Sequence, residues 1–225
     1  MLKSHLITAE ALATLCDGAA ILEQDGRGVK VYRLPNGDIF KIFRMRSRFS
    51  AARIYSYARR FCRNAERLDK LGVPSVEVVS LFHFSDTDDT AVLYHPLRGK
   101  TLREILLERA LTSDEAVRLG VFFARLHKHG IHFRSLHPGN ILLTPQNSFG
   151  LIDIADMKIY PWPLWCNTRM RSFTHLHRYP EWIRKIGQAR WHDIETGYFR
   201  SAELHFVCRY FLQRHLRRVL SASLN

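Results

Sequence analysis

Stretches in which apolar and polar residues alternate dominate the first hundred positions of the chain. The alternation over residues 29–34 and 39–43 predicts two strands, and Pro35-Asn36-Gly37-Asp38 between them is a strong hairpin signal. Further strands are predicted over residues 20–23, 74–84 and 90–94, after a short helix over residues 5–16. We therefore expect a small antiparallel sheet of five strands in the N-terminal part.

Helical spacing of the apolar residues separates this part from the rest of the chain. Apolar positions three and four residues apart predict a helix from Ser50 to the stop signal Gly72, and its outer face carries Arg53, Arg59, Arg60 and Arg63. The segment 95–99 is the expected hinge, so residues 1–95 and 96–225 form the two predicted domains.

The second predicted domain is mostly helical. Two capping boxes, Thr101 with Glu104 and Thr112 with Glu115, predict a helix ending near Arg109 and another from Ser113 to Lys128. Four more helices are predicted over residues 168–177, 180–186, 192–200 and 201–220.

A lysine inside an apolar strand is the first candidate for chemistry. Alternation places Lys41 on a buried or cleft-facing side of its strand, and a buried ammonium group needs an anionic partner. Glu66 lies near the apolar stripe of the following helix and is the candidate partner. The alternative is that Glu66 is a solvated helix residue.

A stretch from Gly130 to Leu143 holds the second group of candidates. Asn140 ends its polar part, and a predicted hairpin around residues 145–148 leads on to Asp153. One amide oxygen and one carboxylate are a sufficient protein contribution to a Mg²⁺ site, because this ion keeps several waters. The predicted hairpin would bring Asn140 and Asp153 together, and these two residues offer one amide oxygen and one carboxylate.

Gly26-Arg27-Gly28, followed by Val29, lies between two predicted strands. A glycine turn of this kind lets backbone N–H groups approach phosphates, although an ordinary β-turn has the same sequence.

In this order and approximate spacing, Gly26-Arg27-Gly28, Lys41, Glu66, Asn140 and Asp153 resemble the protein-kinase-like superfamily. The resemblance implies an α+β, two-lobed fold with a small antiparallel β N-lobe and a mostly helical C-lobe. It also implies that Lys41 binds phosphates, that Glu66 orients Lys41, and that Asn140 and Asp153 are the Mg²⁺ ligands. The residues expected to contact the nucleotide are Gly26, Gly28, Val29, Lys41, Tyr94 and His95.

Leu136-His137-Pro138-Gly139-Asn140-Ile141-Leu142 is closer to small-molecule kinases than to protein kinases. With the Trp- and Arg-rich helical end, it resembles the bacterial lipopolysaccharide core kinases that act on Kdo and heptose. This resemblance implies use of ATP and Mg²⁺, a cytoplasmic site at the inner membrane, and a sugar hydroxyl of a lipid-linked oligosaccharide as acceptor. His137 is expected to face the transferred phosphate.

Ser135 stands where the family has its catalytic aspartate. A hydroxyl does not accept a proton as a carboxylate does, and a positioned general base contributes about 10²- to 10⁴-fold to rate. Two hypotheses follow: a kinase, or a pseudokinase that binds nucleotide or a partner and regulates envelope biogenesis. In either case, Asp153-Ile154-Ala155 keeps the family's metal-binding aspartate.

Charge and composition limit the partners. The net charge of +13 implies attraction to anions such as nucleotides, phosphosugars or glycolipids. No nucleic-acid motif is present, so we expect no nucleic-acid partner. The basic last helix is expected to pack on its own domain or to lie on an anionic membrane surface.

The cysteines and histidines add little to the predicted site. Cys16, Cys62, Cys166 and Cys208 are far apart and are expected to be reduced thiols. His127, His129, His132 and His137 have spacings unlike a helical two-histidine zinc motif, so zinc is not expected.

Overall fold

The computed structural model describes residues 4–44, 57–176 and 178–224. These residues form a mixed α and β fold, which divides into two compact units. The first unit comprises Met1–Leu97 and Asp153–Asp156, and the second comprises Arg98–Ile152 and Met157–Asn225. The sequence assigned residues 153–156 to the second domain, whereas their contacts place them with the first unit.

The first unit is built on a six-stranded sheet with strand order β1-β5-β6-β4-β3-β2. Its antiparallel hairpin at Pro35–Asp38 is confirmed, and its core includes the fully buried Phe40 and Ala91. The strands are β1 (Ser4–Ile7), β2 (Ala20–Asp25), β3 (Gly28–Arg33), β4 (Ile39–Phe43), β5 (Glu77–Phe84) and β6 (Thr90–His95).

The start of the chain differs from the sequence prediction of one helix over residues 5–16. Residues Ser4–Ile7 form β1, which pairs in parallel with β5, so the sheet is mixed rather than antiparallel. The helix α1 (Ala9–Leu15) begins only after Thr8, whose hydroxyl accepts the N–H of Ala11 at 3.2 Å. A helical pattern in the sequence does not show this N-cap or the distant partner strand.

The helix α2 (Tyr57–Lys70) packs on the sheet of the first unit. Phe61 is almost fully buried, and its ring centroid lies 5.8 Å from that of Phe43 and 5.1 Å from that of Tyr94. The helix ends at Lys70, two residues before the predicted stop signal Gly72, which has a positive φ of 63°. The part of the predicted helix over residues 50–56, with Arg53, lies outside the described residues.

The second unit contains five helices among its described residues. Both predicted capping boxes are confirmed, because each threonine hydroxyl accepts a backbone N–H and each glutamate accepts one in return. The helices are α3 (Leu102–Glu108), α4 (Ser113–Lys128), α5 (Cys166–Leu176), α6 (Pro180–Ser201) and α7 (Phe206–Leu224).

Short strands complete the second unit. The predicted hairpin around residues 145–148 is confirmed, and a separate two-stranded sheet pairs residues 131–133 with residues 157–159. The strands are β7 (Lys100–Thr101), β8 (Ile131–Phe133), β9 (Ile141–Leu143), β10 (Phe149–Leu151) and β11 (Met157–Ile159).

Two glycines allow α4 and α6 to approach closely. A Cβ on Gly120 would lie 2.0 Å from the carbonyl oxygen of Ile194, and one on Gly197 would lie 2.0 Å from that of Val117. Larger residues would therefore push the helices apart. The predicted helices over residues 180–186 and 192–200 both lie in α6, which a kink at the non-helical Gly187, where φ is 77°, divides into two helical segments.

The C-terminal helix begins later than predicted. The sequence placed its start at Ser201, but that residue ends α6, and α7 begins at Phe206. The end of the predicted helix over residues 168–177 at His177 lies outside the described residues.

The expectation of four reduced cysteines is wrong for one pair. Cys166 and Cys208 form a disulfide, with their Cα atoms 5.6 Å apart. The packing of α5 against α7 brings together two residues 42 positions apart, which no local cysteine spacing indicates. Cys16 and Cys62 are free thiols, and burial raises the pKa of Cys62 to about 12.

Across the described residues, every helix is too short or too polar to span a lipid bilayer.

Candidate functional site

Lys41 lies in a central strand of the sheet of the first unit. It lies in β4 between Val31 of β3 and Val92 of β6, and its strand neighbours Phe40 and Ile42 are buried. The Lys41 side chain is only 18% exposed, and Nζ donates to Oδ1 of Asp153 at 2.6 Å. The sequence prediction of an anionic partner for Lys41 is thus met, but by a residue other than the one proposed.

Asp153, which carries this carboxylate, has an unusual backbone conformation. Its φ is 52°, in the left-handed region that residues with a Cβ seldom adopt. Such residues concentrate at functional sites, where the surrounding structure maintains them. The side chain remains 49% exposed, so the carboxylate beside Lys41 is open to a ligand.

The helix α2 fixes the segment that follows Asp153. The amide of Asn64 donates to the carbonyl of Ile154 at 2.7 Å. Arg60 donates through Nε to the carbonyl of Ala155 at 3.2 Å and through Nη2 to the carboxylate of Asp156 at 2.8 Å. These contacts restrain the backbone on the C-terminal side of Asp153.

Sequence reasoning missed these contacts. Arg60 was assigned to the basic outer face of the helix, and Asn64 was not selected at all. The available signal was weak: Asn64 is a polar residue within the apolar stripe, four positions after Arg60.

The predicted pairing of Glu66 with Lys41 is wrong in the structure. Glu66 is 58% exposed and accepts from Nζ of Lys70 at 2.6 Å, one turn further along α2. This hydrogen bond is the main reason that the pKa of Glu66 is lowered. The helix therefore presents Arg60 and Asn64, rather than Glu66, to residues 154–156.

The glycine turn between β2 and β3 is held by two charged side chains. The carboxylate of Asp25 accepts the N–H of Arg27 at 2.8 Å, and Arg44 donates to that carboxylate at 3.0 Å. Arg44 also donates to the carbonyls of Gly28 and Val29 at 3.1 and 2.8 Å. Gly26 and Gly28 thus lie in a braced turn, in which the N–H of Arg27 already has a partner.

Tyr94 and His95 end β6 in the first unit. Burial raises the pKa of Tyr94, and the charge of Asp153 raises it further. The ring of His95 lies 2.5 Å from the carboxylate of the buried Asp38, and this hydrogen bond raises the pKa of His95. His95 is therefore engaged with the turn at Pro35–Asp38, although half of its side chain remains exposed.

The stretch Gly130–Leu143, which holds the candidate residues Ser135, His137 and Asn140, belongs to the second unit and is held by hydrogen bonds to its own backbone. The side-chain amide of Asn140 donates to the backbone carbonyl of Ser135 at 3.0 Å, and the backbone carbonyl of Asn140 accepts the N–H of Ile152 at 3.1 Å. His137 accepts the N–H of Gly139 at 3.0 Å and caps the 3-10 turn Pro138–Asn140. The ring of His137 also lies 5.1 Å from that of Tyr179, so this histidine has a structural role in the loop.

The remaining histidines of this region do not assemble a metal centre. His127 is buried, its Nδ1 lies 2.8 Å from the hydroxyl of Tyr198, and burial lowers its pKa far below the usual value. No three His, Cys, Asp or Glu side chains come together as a metal-binding group within residues 4–44, 57–176 and 178–224.

No protein-family model matches the chain, and no curated protein matches it. Function is therefore inferred from the residues of the site and their chemistry.

Proposed function

We propose that this chain is an ATP- and Mg²⁺-dependent phosphotransferase with a two-lobed, protein-kinase-like fold. The ion pair between Lys41 and Asp153 is the observation that carries the proposal. It joins residues 112 positions apart and keeps a half-exposed carboxylate beside a largely buried ammonium group. An ammonium group and a carboxylate at one place are suited to a phosphate and its counter-cation.

Each residue of the proposed site has a role that its chemistry permits. Lys41 holds nucleotide phosphates, and Asp153 supplies a carboxylate oxygen to the cation. Within the described residues, Oδ2 of Asp153 accepts no hydrogen bond, which leaves it for a ligand. The sequence motif adds the amide of Asn140 as the second protein ligand. Mg²⁺, when bound, would neutralise charge on the phosphates.

The proposed acceptor is a sugar hydroxyl of lipopolysaccharide core or of a related envelope glycolipid. Support comes from the resemblance of residues 136–142 to small-molecule kinases and from the net charge of +13, which suits a phosphorylated acceptor. The proposed location is the cytoplasm, with peripheral contact to the inner membrane.

The surface of α7 supports that contact. Its first turns expose Phe206, Tyr210 and Phe211, and its later turns expose Arg214, Arg217 and Arg218. Aromatic and cationic side chains together favour an anionic membrane surface. Trp165, 71% exposed, adds a further aromatic side chain next to the disulfide between α5 and α7.

Ser135 favours a second candidate function, that of a pseudokinase. Its hydroxyl replaces the carboxylate expected at this position, and its carbonyl is bonded to Asn140. In this alternative, Lys41 and Asp153 bind nucleotide without transfer, and the protein acts through a partner in envelope biogenesis.

A transfer assay separates the two candidates. Purified wild-type protein, Asp153→Asn and Ser135→Asp are incubated with radiolabelled ATP, Mg²⁺ and core glycolipid, and ATP binding is measured in parallel. Wild-type transfer that Asp153→Asn abolishes supports the phosphotransferase. ATP binding without wild-type transfer supports the pseudokinase, and transfer gained by Ser135→Asp would show that only the general base is missing. Absence of ATP binding contradicts both.

A further inference from the structure

Two histidines of the second unit carry ring nitrogens without partners. His132 lies in β8 and His175 in α5, and their ring centroids are 5.9 Å apart. Nε2 of His132 and Nδ1 of His175 are buried, and neither has a hydrogen-bond partner in the part of the chain that the structure describes. A buried polar atom without a hydrogen-bond partner costs about 1–3 kcal/mol, so these two ring nitrogens call for an explanation.

Three cationic residues neighbour these two histidines in the sequence or in the sheet. Lys158 of β11 is the register partner of His132, and Arg134 directly follows the end of β8. Arg171 precedes His175 by one turn of α5, on the same helix face. Lys158, Arg134 and Arg171 are exposed and make no ion pair with the carboxylates of the described residues.

The electrostatics agree with this geometry. Burial is the main cause that lowers the pKa of His132 to about 4, and the charges of His175, Arg134, Lys158 and Arg171 lower it further. Burial also lowers the pKa of His175, with smaller contributions from Arg178 and Arg134. All the charged groups that shift these two histidines are thus bases. Uncompensated positive potential of this kind attracts an anion.

We infer that His132 and His175, together with Lys158, Arg171 and Arg134, form a binding site for a phosphate dianion. A phosphate offers several acceptor oxygens directed to different sides, which suits donors from two strands and a helix. Two negative charges also match the excess of cations better than one carboxylate would. This His132–His175 cluster needs neither Lys41 nor Asp153, so the inference stands apart from the proposed nucleotide site.

Titration of the histidine resonances by NMR tests the site on the full-length protein. The C–H signals of His132 and His175 are followed from pH 3.5 to pH 8, with and without inorganic phosphate, while sodium chloride keeps the ionic strength constant. Phosphate is a monoanion in the pH range where His132 titrates, and a bound anion stabilises the imidazolium form, so we expect the pKa of His132 to rise by about one unit or more. Unchanged titration of both histidines at saturating phosphate would overturn the inference.

Charge-removing variants locate the binding. Lys158→Gln and Arg171→Gln are expected to weaken phosphate binding about tenfold each in calorimetry, because each removes a charged donor. Lys185→Gln removes the same charge from an exposed position of α6 and is expected to leave the affinity unchanged. Equal weakening by all three variants would show that only the overall charge matters and would contradict a defined site.

A comparison of two ligands identifies the source of the phosphate. Inorganic phosphate and glucose 6-phosphate are titrated separately into the wild type and into Lys158→Gln. Tighter binding of the sugar phosphate, lost in the variant, would assign the site to a phosphorylated sugar. Equal affinities that the variant reduces alike would assign it to free phosphate. Neither titration contains ATP, so failure here is distinct from failure of the proposed function.

Discussion

Two ion pairs, one in each unit, use similar groups for different purposes. Arg109 and Glu115 are six residues apart, and Arg109 donates to both carboxylate oxygens at 2.6 and 2.8 Å. Lys41 and Asp153 are 112 residues apart and share one hydrogen bond. The Glu115 side chain is 9% exposed, whereas that of Asp153 is 49% exposed.

The difference lies in what remains free after each pair has formed. Glu115 also accepts the N–H of Thr112 at 2.9 Å and so completes the capping box of α4. Among the described residues, the Asp153 carboxylate accepts a hydrogen bond only from Lys41, and the Asp153 backbone is left-handed. A saturated, buried carboxylate stabilises the fold, while an open carboxylate beside a lysine is available for binding.

The largest expected effect follows from replacing Asp153. Asparagine tolerates the left-handed backbone, so Asp153→Asn should fold normally while it weakens Mg²⁺-dependent ATP binding about 100-fold. Calorimetry measures the affinity, and thermal unfolding monitors the fold. Asp156→Asn is the matched control, because Asp156 lies three residues after Asp153 in the same segment and pairs with Arg60 instead of Lys41. Equal losses in both variants would contradict the assignment to Asp153.

Replacing Glu115 should lower the stability of the fold and leave ATP binding unchanged. Glu115→Gln removes the charge from a bidentate, buried contact and should lower the free energy of unfolding by about 2 kcal/mol without changing ATP affinity. Asp114→Asn, in the exposed pair with Arg118, should change that free energy by less than about 0.5 kcal/mol. Urea unfolding measures both. A similar loss of unfolding free energy in the two variants would contradict the greater contribution that we assign to the buried ion pair.

The carboxylate of Glu115 should also make the stability of the fold depend on pH. The hydrogen bond from Arg109 is the main cause that lowers the pKa of Glu115 to about 2, below its usual 4.5. Its contribution is therefore complete above pH 4.5 and is lost as the pH falls towards 2. Unfolding free energies measured between pH 2 and pH 6 should fall less steeply for Glu115→Gln than for the wild type. Parallel slopes would contradict this origin of acid sensitivity.

The smallest expected effect concerns Glu66. Since its carboxylate pairs with Lys70 on the surface of α2, Glu66→Ala should change ATP affinity less than about twofold and leave the unfolding midpoint unchanged. Lys70→Ala should behave in the same way. A large loss of ATP affinity in Glu66→Ala alone would show that Glu66 meets Lys41 when nucleotide is bound.

Local patterns in the sequence predicted local structure well. Both capping boxes and the turns around residues 35–38 and 145–148 are determined by residues within a few positions of one another, and all were confirmed. The position of Lys41 in an apolar strand likewise predicted an anionic partner.

Features that depend on distant partners were predicted poorly. The strand β1 exists through pairing with β5, whose paired residues lie 77 positions later, and the disulfide depends on the packing of α5 against α7. Glu66 was misassigned because the rotation of α2 about its axis decides which residues meet residues 154–156. That rotation is set by burial of Phe61 and Leu68 against the rest of the unit, which the helical period alone does not specify.

The central claim is a metal-dependent nucleotide site built on Lys41 and Asp153. Its most direct test is calorimetric titration of the wild type and of Lys41→Ala with ATP, each with and without Mg²⁺. We predict binding that requires Mg²⁺ in the wild type and falls at least about tenfold in Lys41→Ala. Wild-type binding that is absent at every Mg²⁺ concentration, or that is unaffected by Lys41→Ala, would contradict the claim.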